Sequence, residues 1–411
     1  MALVLTTASA ASAGGLGVYE IGAPDQMFAT AGRQALARDA STAYTNPAGM
    51  TRLKQSTLQV GIQPIYGNVR FDPGAGTTAT GGDGGQIVGF VPTLGSFYVH
   101  SFTDRIKAGL ALNAYLGGGL EYDNKWAGPF FAQDSILQGL AGTLSGAYRV
   151  NDWLSIGAGF VTLHTKVKLT TALANLDPGG DARITAEDTA FGFGGKASVL
   201  FEMSPTTRLG MTYRSKIDVE MDDAVDLEDV GPLLQAVLEA QGLVGSEVDL
   251  DMTFPQSLHA GLYHDLGDTM SMMMSLGWED WSDFSDLGVS LESDTATSLT
   301  VDQNVRDTWH AALGFEYRPR ERWRVGAGVA YDSSAMNDKD RTAVLPLSRQ
   351  WRFGTGFEHD LTDTWTLGFQ YTLVDMGNAP LSQTSQRGGT LEGSFDNNEV
   401  HVFNFSVRKN F

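Results

Sequence analysis

The sequence predicts an all-β protein, a fourteen-stranded antiparallel transmembrane β-barrel preceded by a separate N-terminal segment. Three observations support this prediction: apolar side chains alternate with small or polar ones, short connections alternate with long ones, and the last strand ends in an aromatic residue. Successive side chains of a strand point to opposite faces, so the alternation gives each strand one apolar face. An even number of such strands, with short turns at one end, is typical of outer-membrane barrels.

The two-residue alternation is clearest at residues 322–331. Trp323, Val325, Ala327, Val329 and Tyr331 alternate there with Arg, Gly and Ala side chains. Fourteen segments of this kind are predicted strands, and they lie near 56–71, 87–102, 105–118, 138–150, 152–170, 190–202, 206–221, 247–265, 268–280, 303–318, 321–333, 349–360, 363–375 and 397–411.

The connections and the last strand separate a membrane barrel from a soluble β-protein. A β-sandwich or propeller would share the alternation, but it would not explain why Phe403, Phe405, Val407 and the final Phe411 share one face. Several predicted turns are only two residues long, whereas other connections are long, polar and rich in Gly and Asp. The short turns are Thr103-Asp104, Asn151-Asp152, Ser204-Pro205, Pro319-Arg320 and Leu361-Thr362.

Composition excludes several classes of protein. Charged residues are 18% and aromatic residues 10% of the chain, which is unlike a charge-rich disordered sequence. The chain has no Cys, which excludes disulfide scaffolds, Cys-ligated zinc and thiol catalysis. A formal net charge of −20 argues against binding nucleic acid through a basic field.

The N-terminal 50 residues lack strand periodicity. Residues 1–13 are predicted to be a partial signal peptide, because an apolar stretch leads to the cleavage-type sequence Ala11-Ser12-Ala13. Residues 14–50 are rich in small side chains and too apolar for a linker, so they form either a periplasmic domain or a plug in the lumen. Residues 51–411 are the predicted barrel.

The stretch from Asp39 to Ala43, followed by Asn46, Pro47, Ala48 and Gly49, resembles the FadL family of outer-membrane transporters for long-chain fatty acids and other hydrophobic compounds. The resemblance implies a hatch in the lumen that includes Asn46 to Gly49, localisation in the bacterial outer membrane, contact with its lipid and lipopolysaccharide, and a monomer without cofactor or enzymatic activity. Matching marks continue downstream at 144–149, Trp153, 157–160, 213–215, Trp278, Trp281, Phe284, 323–324 and 331–334.

Two long connections carry apolar side chains. Residues 228–242 follow helical spacing, with one apolar face. Either each apolar loop packs on the other, or, as the resemblance implies, both form an outer groove that catches a hydrophobic ligand. The residues predicted for this groove are Trp126, Phe130, Phe131, Leu233, Leu234, Val237 and Leu238.

Basic residues on the polar strand faces are candidates for binding a carboxylate head group. Arg306 is the first choice, because its strand resembles family segments with a basic residue facing the ligand pocket, and His310 follows it on the predicted same face. Lys166, Lys168 and Arg214 are the other candidates. Thr170 and Thr171 stand where a further Arg was expected, which leaves an uncharged alkane or aromatic substrate as an alternative.

Gly117, Gly118 and Gly119 interrupt the apolar third strand, and glycine inside a strand weakens its pairing. Together with the inward kink that the resemblance implies, they predict a lateral exit through the barrel wall. The predicted function is therefore passive uptake of hydrophobic compounds. A general water-filled porin and an adhesion protein are alternatives, whereas the motifs of serine hydrolases, zinc proteases and P-loop proteins are absent.

Overall fold

A computed structural model describes residues 17–175, 177–178, 180–224, 226–240, 247–292, 297–302, 304–385 and 388–411. The predicted signal segment, residues 1–13, lies outside these described residues. No helix in the described ranges is long and apolar enough to cross a membrane.

Strands dominate the described chain, and the helices are short. The three α-helices are α1 (Arg33–Leu36), α2 (Thr42–Thr45) and α3 (Pro232–Ala240), and 3-10 helices span Pro24–Phe28, Pro47–Arg52, Trp281–Ser285 and Asp338–Asp340. The strands are β1 (Thr57–Pro73), β2 (Gly89–Ser101), β3 (Ile106–Glu121), β4 (Asp134–Arg149), β5 (Leu154–Leu173), β6 (Ala182–Ser204), β7 (Thr207–Arg214), β8 (Ile217–Ala224), β9 (Asp226–Glu228), β10 (Glu247–Phe254), β11 (Ser257–Asp265), β12 (Met270–Glu279), β13 (Asp286–Glu292), β14 (Thr297–Asp302), β15 (Thr308–Arg320), β16 (Trp323–Asp332), β17 (Gln350–Asp360), β18 (Trp365–Asp375), β19 (Ala379–Ser385) and β20 (Gly389–Asn410).

Fourteen of the described strands close into one antiparallel ring, in the order β1 to β7, β11, β12, β15 to β18 and β20. The ring closes between β1 and β20, from Thr57 opposite Asn410 to Pro73 opposite Gly393. The predicted fourteen-stranded barrel is therefore confirmed. Closure pairs the strand edges with each other, as a lipid environment requires.

The two faces of β15 show why the sequence forms a membrane wall. Inward-facing His310 is 4% exposed, whereas the neighbouring outward-facing Trp309 is 63% exposed. Phe90 and Leu276 are similarly exposed on other strands of the ring. An apolar outer face of this kind suits lipid and not water.

The short turns define the orientation of the barrel. Six of them, at 102–105, 150–153, 205–206, 266–269, 321–322 and 361–364, lie at one end of the ring. The start of β1 and the end of β20 lie at that same end. Short turns face the periplasm in barrels of this kind, so the longer loops form the outer end.

Five predicted strands differ clearly from the observed ones, and two of them, predicted at 190–202 and 397–411, begin earlier, at Ala182 and Gly389. The segments 206–221 and 247–265 each break into two strands, at Ser215-Lys216 and at Pro255-Gln256, and the strand predicted at 303–318 begins only at Thr308. Pro255 has no N–H for a ladder bond. Beyond the breaks, β8, β10, β13 and β14 form a separate four-stranded antiparallel sheet.

This outer sheet packs into the barrel mouth. Ile217 of β8 lies against the inner face of β6, so close that a Cβ at Gly192 would lie 2.5 Å from its Cγ2 atom. Phe254 of β10 reaches Tyr115 of β3, with 6.2 Å between the ring centroids, and also contacts Phe284. The outer sheet therefore covers the lumen from above.

Residues 17–53, called the hatch below, lie inside the ring and are almost entirely buried. Glycines of the wall let the hatch backbone approach closely. A Cβ at Gly210 would lie 1.8 Å from the carbonyl oxygen of Gln34, and one at Gly328 would lie 2.1 Å from that of Phe28. Part of the high glycine content of the chain is explained by these contacts.

Ion pairs also join the hatch to the wall. Arg38 pairs with Glu316 and, at 3.0 Å, with Glu358. Glu20 of the hatch accepts a 3.0 Å hydrogen bond from Nε of Arg352 on β17. Buried charges need such partners, because an uncompensated buried charge costs several kcal/mol.

Candidate functional site

Two small cavities meet at the first described residues of the hatch. One cavity, of about 70 Å³, has charged and polar as well as apolar side chains in its lining and is called the polar cavity below; it is lined by Gly17, Val18 and Tyr19 together with residues of β6, β7 and β12. The other, of about 50 Å³, is mainly apolar and is lined by Val18 and Glu20 together with residues of β1, β2 and β3. The segment Gly17 to Glu20 therefore separates the cavities.

Two cations face the polar cavity from adjacent strands. Lys196 of β6 lies directly opposite Arg214 of β7 in the ladder, and both side chains point inward. The Lys196 ammonium donates a 2.7 Å hydrogen bond to the carbonyl oxygen of Tyr44 and lies 3.2 Å from the centroid of the Tyr44 ring. No carboxylate of the described residues pairs with Lys196.

The carboxylate that lines this cavity is engaged elsewhere. Glu279 accepts a 2.8 Å hydrogen bond from Nε1 of Trp281 and a 3.4 Å bond from the hydroxyl of Tyr19, and it lies 3.4 Å from Nε2 of His259. Its distance to the Arg214 guanidinium is 3.9 Å. Glu279 therefore leaves donor capacity on Arg214 unused.

Unpartnered donors remain beside these cations. Nε of Arg214 and the hydroxyl of Tyr115 are buried and have no hydrogen-bond partner among the described residues. The Tyr115 ring lies 4.7 Å below the Arg214 guanidinium. The Lys196 nitrogen, which has no carboxylate partner among the described residues, and the two free donors face one cavity, an arrangement that suits a bound anion.

Tyr19 fixes the hatch segment against the opposite wall. Its ring stacks on His310, with 4.5 Å between the centroids, and packs edge-on against His259. Burial raises the pKa of the Tyr19 hydroxyl well above its usual value, and the charges of Glu279 and Asp332 raise it further. Tyr19 therefore stays a neutral donor at physiological pH.

The apolar cavity lies at a discontinuity in the wall. The β2–β3 ladder runs from Ser101 opposite Lys107 to Gly95 opposite Asn113 and pairs no described residue beyond that point. β3 continues beside β4, with a register shift between Ala114 and Leu116. A gap in the hydrogen-bonded wall therefore separates residues 89–94 of β2 from residues 114–120 of β3, and it ends where the N–H of Glu121 donates a 2.8 Å hydrogen bond to the carbonyl oxygen of Ile87.

The hatch fills this gap from inside. Gly17 forms a β-bridge with Leu116, and the N–H of Val18 donates a 3.0 Å hydrogen bond to the carbonyl oxygen of Tyr115. Gly117 and Gly118 line the cavity between Val18 and the wall. Gly119 follows directly in the chain, so all three glycines of the predicted lateral exit lie at the edge of the gap.

A family comparison places this architecture. The model of the family described as "Outer membrane protein transport protein (OMPP1/FadL/TodX)" matches residues 4–411, nearly the whole chain. The chain belongs to this family. The predicted FadL resemblance and the predicted outer-membrane localisation are confirmed, and the coarse function is transport across the outer membrane.

Individual relatives of this FadL-family protein agree with the assignment. Outer membrane protein P1 of Haemophilus influenzae is 26% identical, over 90% of this chain and 88% of that protein. A long-chain fatty acid transport protein of Escherichia coli is 26% identical, over 77% of each chain. The crystal structure of a Pseudomonas aeruginosa FadL homologue superposes with a TM-score of 0.85 at 21% identity, over 98% of this chain and 100% of that one.

Arg214 and His310 are the predicted ligand-binding residues that lie near the polar cavity. Arg214 lines it, and His310 lies behind Tyr19, where it is 2.8 Å from a carboxylate oxygen of Asp332. Arg306 does not reach the lumen. It is exposed before β15 begins, and its guanidinium donates to Ser334 and Asn337 of an outer loop.

The inward orientation predicted for Lys166 and Lys168 is wrong. The buried, inward residues of this part of β5 are Thr165 and Val167, so the two lysines project from the other face. Lys166 pairs there with Glu187 at 2.6 Å, and Lys168 pairs with Asp134 at 3.1 Å.

The residues predicted for an outer groove do not line one open surface. Leu234 and Leu238 of α3 are buried against Ala182, and Val237 is half-buried, whereas Leu233 is exposed. In the other loop, Trp126 and Phe131 are buried in the main apolar core, and Phe130 is half-buried. The two loops therefore pack into separate clusters.

The predicted hatch residues lie where the hatch touches β5, β6 and β7. The side-chain amide of Asn46 donates a 3.1 Å hydrogen bond to the carbonyl oxygen of Val199, and the N–H of Ala48 donates a 3.0 Å bond to Ser198. A Cβ at Gly157 would lie 2.7 Å from the carbonyl carbon of Pro47, and one at Gly49 would lie 2.9 Å from Cβ of Ala37.

Sequence reasoning did not single out Lys196, Tyr19, Tyr115 or Glu279. Lys196 is distinguished only by its position opposite Arg214, which the sequence does not show. His259 and His310, which are 51 positions apart in the chain, meet with 6.3 Å between their rings. In the described ranges, no group of His, Asp or Glu side chains is arranged to hold a metal ion.

Proposed function

We propose that this protein passively takes up long-chain fatty acids, and that the polar cavity receives the carboxylate. The observation that supports this most is the Lys196 ammonium, which has no carboxylate partner and stands opposite Arg214. Nε of Arg214 and the hydroxyl of Tyr115 supply two further unpartnered donors. The E. coli relative named a long-chain fatty acid transport protein also supports this substrate class.

The alkyl chain extends from the polar cavity into the apolar one. Val18 lines both cavities, so displacement of Gly17 to Glu20 joins them. Ligand pockets usually measure about 300–1,000 Å³, whereas these cavities measure about 70 and 50 Å³. The small volumes support a gated route in which the hatch segment moves during uptake.

The ligand leaves sideways through the gap between β2 and β3. Unpaired strand edges are costly in lipid unless they line a cavity or are covered by protein, and here the hatch covers them. An apolar molecule that leaves at this point enters the membrane directly. Each CH₂ group that it buries there contributes about 0.8 kcal/mol, which favours lipid over the aqueous periplasm.

An uncharged alkane or monoaromatic hydrocarbon is the alternative cargo. The apolar cavity alone would serve such a molecule, and Lys196 would then have no role in recognition. A general porin is disfavoured, because the buried hatch occupies the lumen.

Uptake into proteoliposomes tests the proposal, with hexadecanoate, hexadecane and sucrose compared in parallel. We expect hexadecanoate to enter fastest and sucrose to stay outside. Equal rates for hexadecanoate and hexadecane would favour the hydrocarbon alternative. Rapid entry of sucrose would indicate a porin and overturn the proposal.

A further inference from the structure

A separate cavity of about 330 Å³ opens at the periplasmic end of the barrel. Arg52 and Lys54 line it from the end of the hatch, and Lys107 and Arg149 line it from β3 and β4. Asp104 of the first short turn is the acidic residue of this lining. The proposed transport route between β2 and β3 lies further along β3, toward the outer end of the barrel.

Most of these cations have no carboxylate partner. Arg52 pairs with Glu202, but no described carboxylate forms an ion pair with Lys54, Lys107 or Arg149. Lys107 is 2% exposed, and its ammonium donates to the hydroxyl of Ser101. Nη2 of Arg149 donates a 2.6 Å hydrogen bond to the carbonyl oxygen of Thr51.

This excess of positive charge is local. The whole chain has a formal net charge of −20. A neighbouring periplasmic cavity of about 580 Å³ is also rich in arginine, and four of its five arginines form ion pairs, whereas Arg208 donates to the carbonyl oxygens of Ala35 and Leu36. Arg318 there pairs with Glu316 at 2.9 Å, and Arg324 pairs with Asp360 at 2.6 Å. Among the described residues, one of the five lining cations lacks a carboxylate partner there, whereas three of the four cations of the smaller cavity lack one.

We propose that the 330 Å³ cavity binds one phosphate group presented from the periplasm, either as free phosphate or as a lipid head group. Several converging cations suit a group with more than one charged oxygen, since Arg offers a planar fork and Lys a compact point charge. Burying a cation without a partner is unfavourable, and a bound phosphate removes that cost from Lys107.

The position of the site links the anion to the hatch. Arg149 already holds the carbonyl of Thr51, and Arg52 and Lys54 belong to the junction between the hatch and β1. A phosphate bound to these residues and to Lys107 ties the end of the hatch to β3 and β4. Phosphate therefore stabilises the seated hatch without entering the transport cavity.

The test measures binding of inorganic phosphate to the full-length protein in an uncharged detergent, by equilibrium dialysis with labelled phosphate. We expect saturable binding at one site. Lys107→Met combined with Arg149→Gln should weaken it by about tenfold or more, because charge-assisted hydrogen bonds are lost. The matched control is Arg320→Gln, at an exposed arginine near another short turn, which should bind like the wild type.

A lipid arm distinguishes the two sources of phosphate. Native mass spectrometry compares retention of phosphatidylglycerol by the wild type and by the double variant. Lys54→Gln, at an exposed side chain, replaces the double variant if the latter does not fold, and it should also weaken binding. Retention of lipid alone assigns a lipid head group, and binding of inorganic phosphate alone assigns free phosphate. If neither probe distinguishes the wild type from the variants, the site does not exist, and the proposed transport function stands unaffected.

Discussion

On the proposed function, Lys196 is the residue that favours a carboxylate head group in the polar cavity. The Lys196 residue is 7% exposed. Its side-chain nitrogen donates a hydrogen bond to the carbonyl oxygen of Tyr44 and has no carboxylate partner among the described residues. A hydrogen bond to a charged group contributes about 1.5–3 kcal/mol. An incoming carboxylate at Lys196 and Arg214 therefore gains an interaction that a hydrocarbon does not.

The first prediction concerns this charge. Lys196→Met should weaken binding of hexadecanoate by roughly ten- to a hundredfold and leave hexadecane nearly unaffected, because only the carboxylate loses a charged donor. Equilibrium dialysis of the detergent-solubilised protein measures both ligands. Lys166→Met is the matched control, since Lys166 pairs with Glu187 outside the cavity. An equal loss for both ligands would remove Lys196 from head-group recognition.

The strand pattern predicted inward cations but not which of them meet. Arg214 could be identified from the sequence as an inward-facing residue, because its neighbours alternate regularly up to the end of β7. Arg306 could not, because the chain before Thr308 is not a strand and alternation carries no information there. The inward face predicted for Lys166 and Lys168 is wrong, since Thr165 before them and Val167 between them are the inward residues.

Glycines of the barrel strands form the seat of the hatch. Inward positions such as Gly210 and Gly328 admit a carbonyl of the hatch where any side chain would collide. The sequence shows the glycine excess, but it does not show that these positions match the path of residues 17–53. That match depends on the registers of distant strands.

The second prediction concerns the wall glycines that contact the hatch backbone. Gly210→Val should displace the hatch and make the barrel leak small solutes, because its Cβ would lie 1.8 Å from the carbonyl oxygen of Gln34. Release of sucrose from liposomes measures the leak. Gly146→Val is the control, since a Cβ at Gly146 meets nothing within 4 Å. A tight Gly210→Val barrel would show that the hatch adapts.

The gap between β2 and β3 leads to a third prediction. Gly118→Val should fill the small apolar cavity and reduce uptake of hexadecanoate to a small fraction of the wild-type rate in intact cells. Gly142→Val on the adjacent β4 is the control, because its nearest neighbour would be 3.9 Å away. Wild-type uptake by a folded Gly118→Val variant would exclude this exit.

Fourteen strands followed from periodicity, whereas the breaks at Ser215 and Pro255 did not. Alternation continues through both breaks, so β7 and β8 looked like one strand. The break at Ser215 is explained by the tertiary structure, in which Ile217 packs on the inner face of β6 over Gly192. Tertiary packing thus overrides a continuous local pattern.

The charged wall residues that contact the hatch also have ion-pair partners within the barrel wall. Each described wall residue that pairs with Arg38 or Glu20 also has a partner on the wall. Glu316 pairs with Arg318, Glu358 pairs with Arg408 at 3.2 Å, and Arg352 pairs with Asp332. Removing the hatch therefore leaves no uncompensated charge at these positions.

The fourth prediction follows from that arrangement. Deletion of residues 14–46 should leave a folded barrel that admits sucrose, because most of the hatch leaves the lumen while the wall keeps its ion pairs. Heat-modifiable migration on gels reports the folded barrel, and leakage from liposomes reports the opening. Loss of the folded band would show that the wall needs the hatch as a scaffold.

Movement of the segment Gly17 to Glu20 is required by every step proposed between the polar cavity and the membrane, because Val18 separates the two cavities. The chain contains no Cys, so two introduced cysteines cannot mispair with native ones. A Cβ at Gly117 would lie 3.0 Å from Cγ2 of Val18, which places a disulfide between these positions within reach.

Uptake of hexadecanoate by the variant Val18→Cys with Gly117→Cys is therefore measured before and after reduction, beside each single variant. We expect the oxidised double variant to transport almost nothing, and reduction to restore uptake to the level of the single variants. Transport at the wild-type rate by the oxidised protein, with the disulfide verified by mass spectrometry, would contradict gating by this segment.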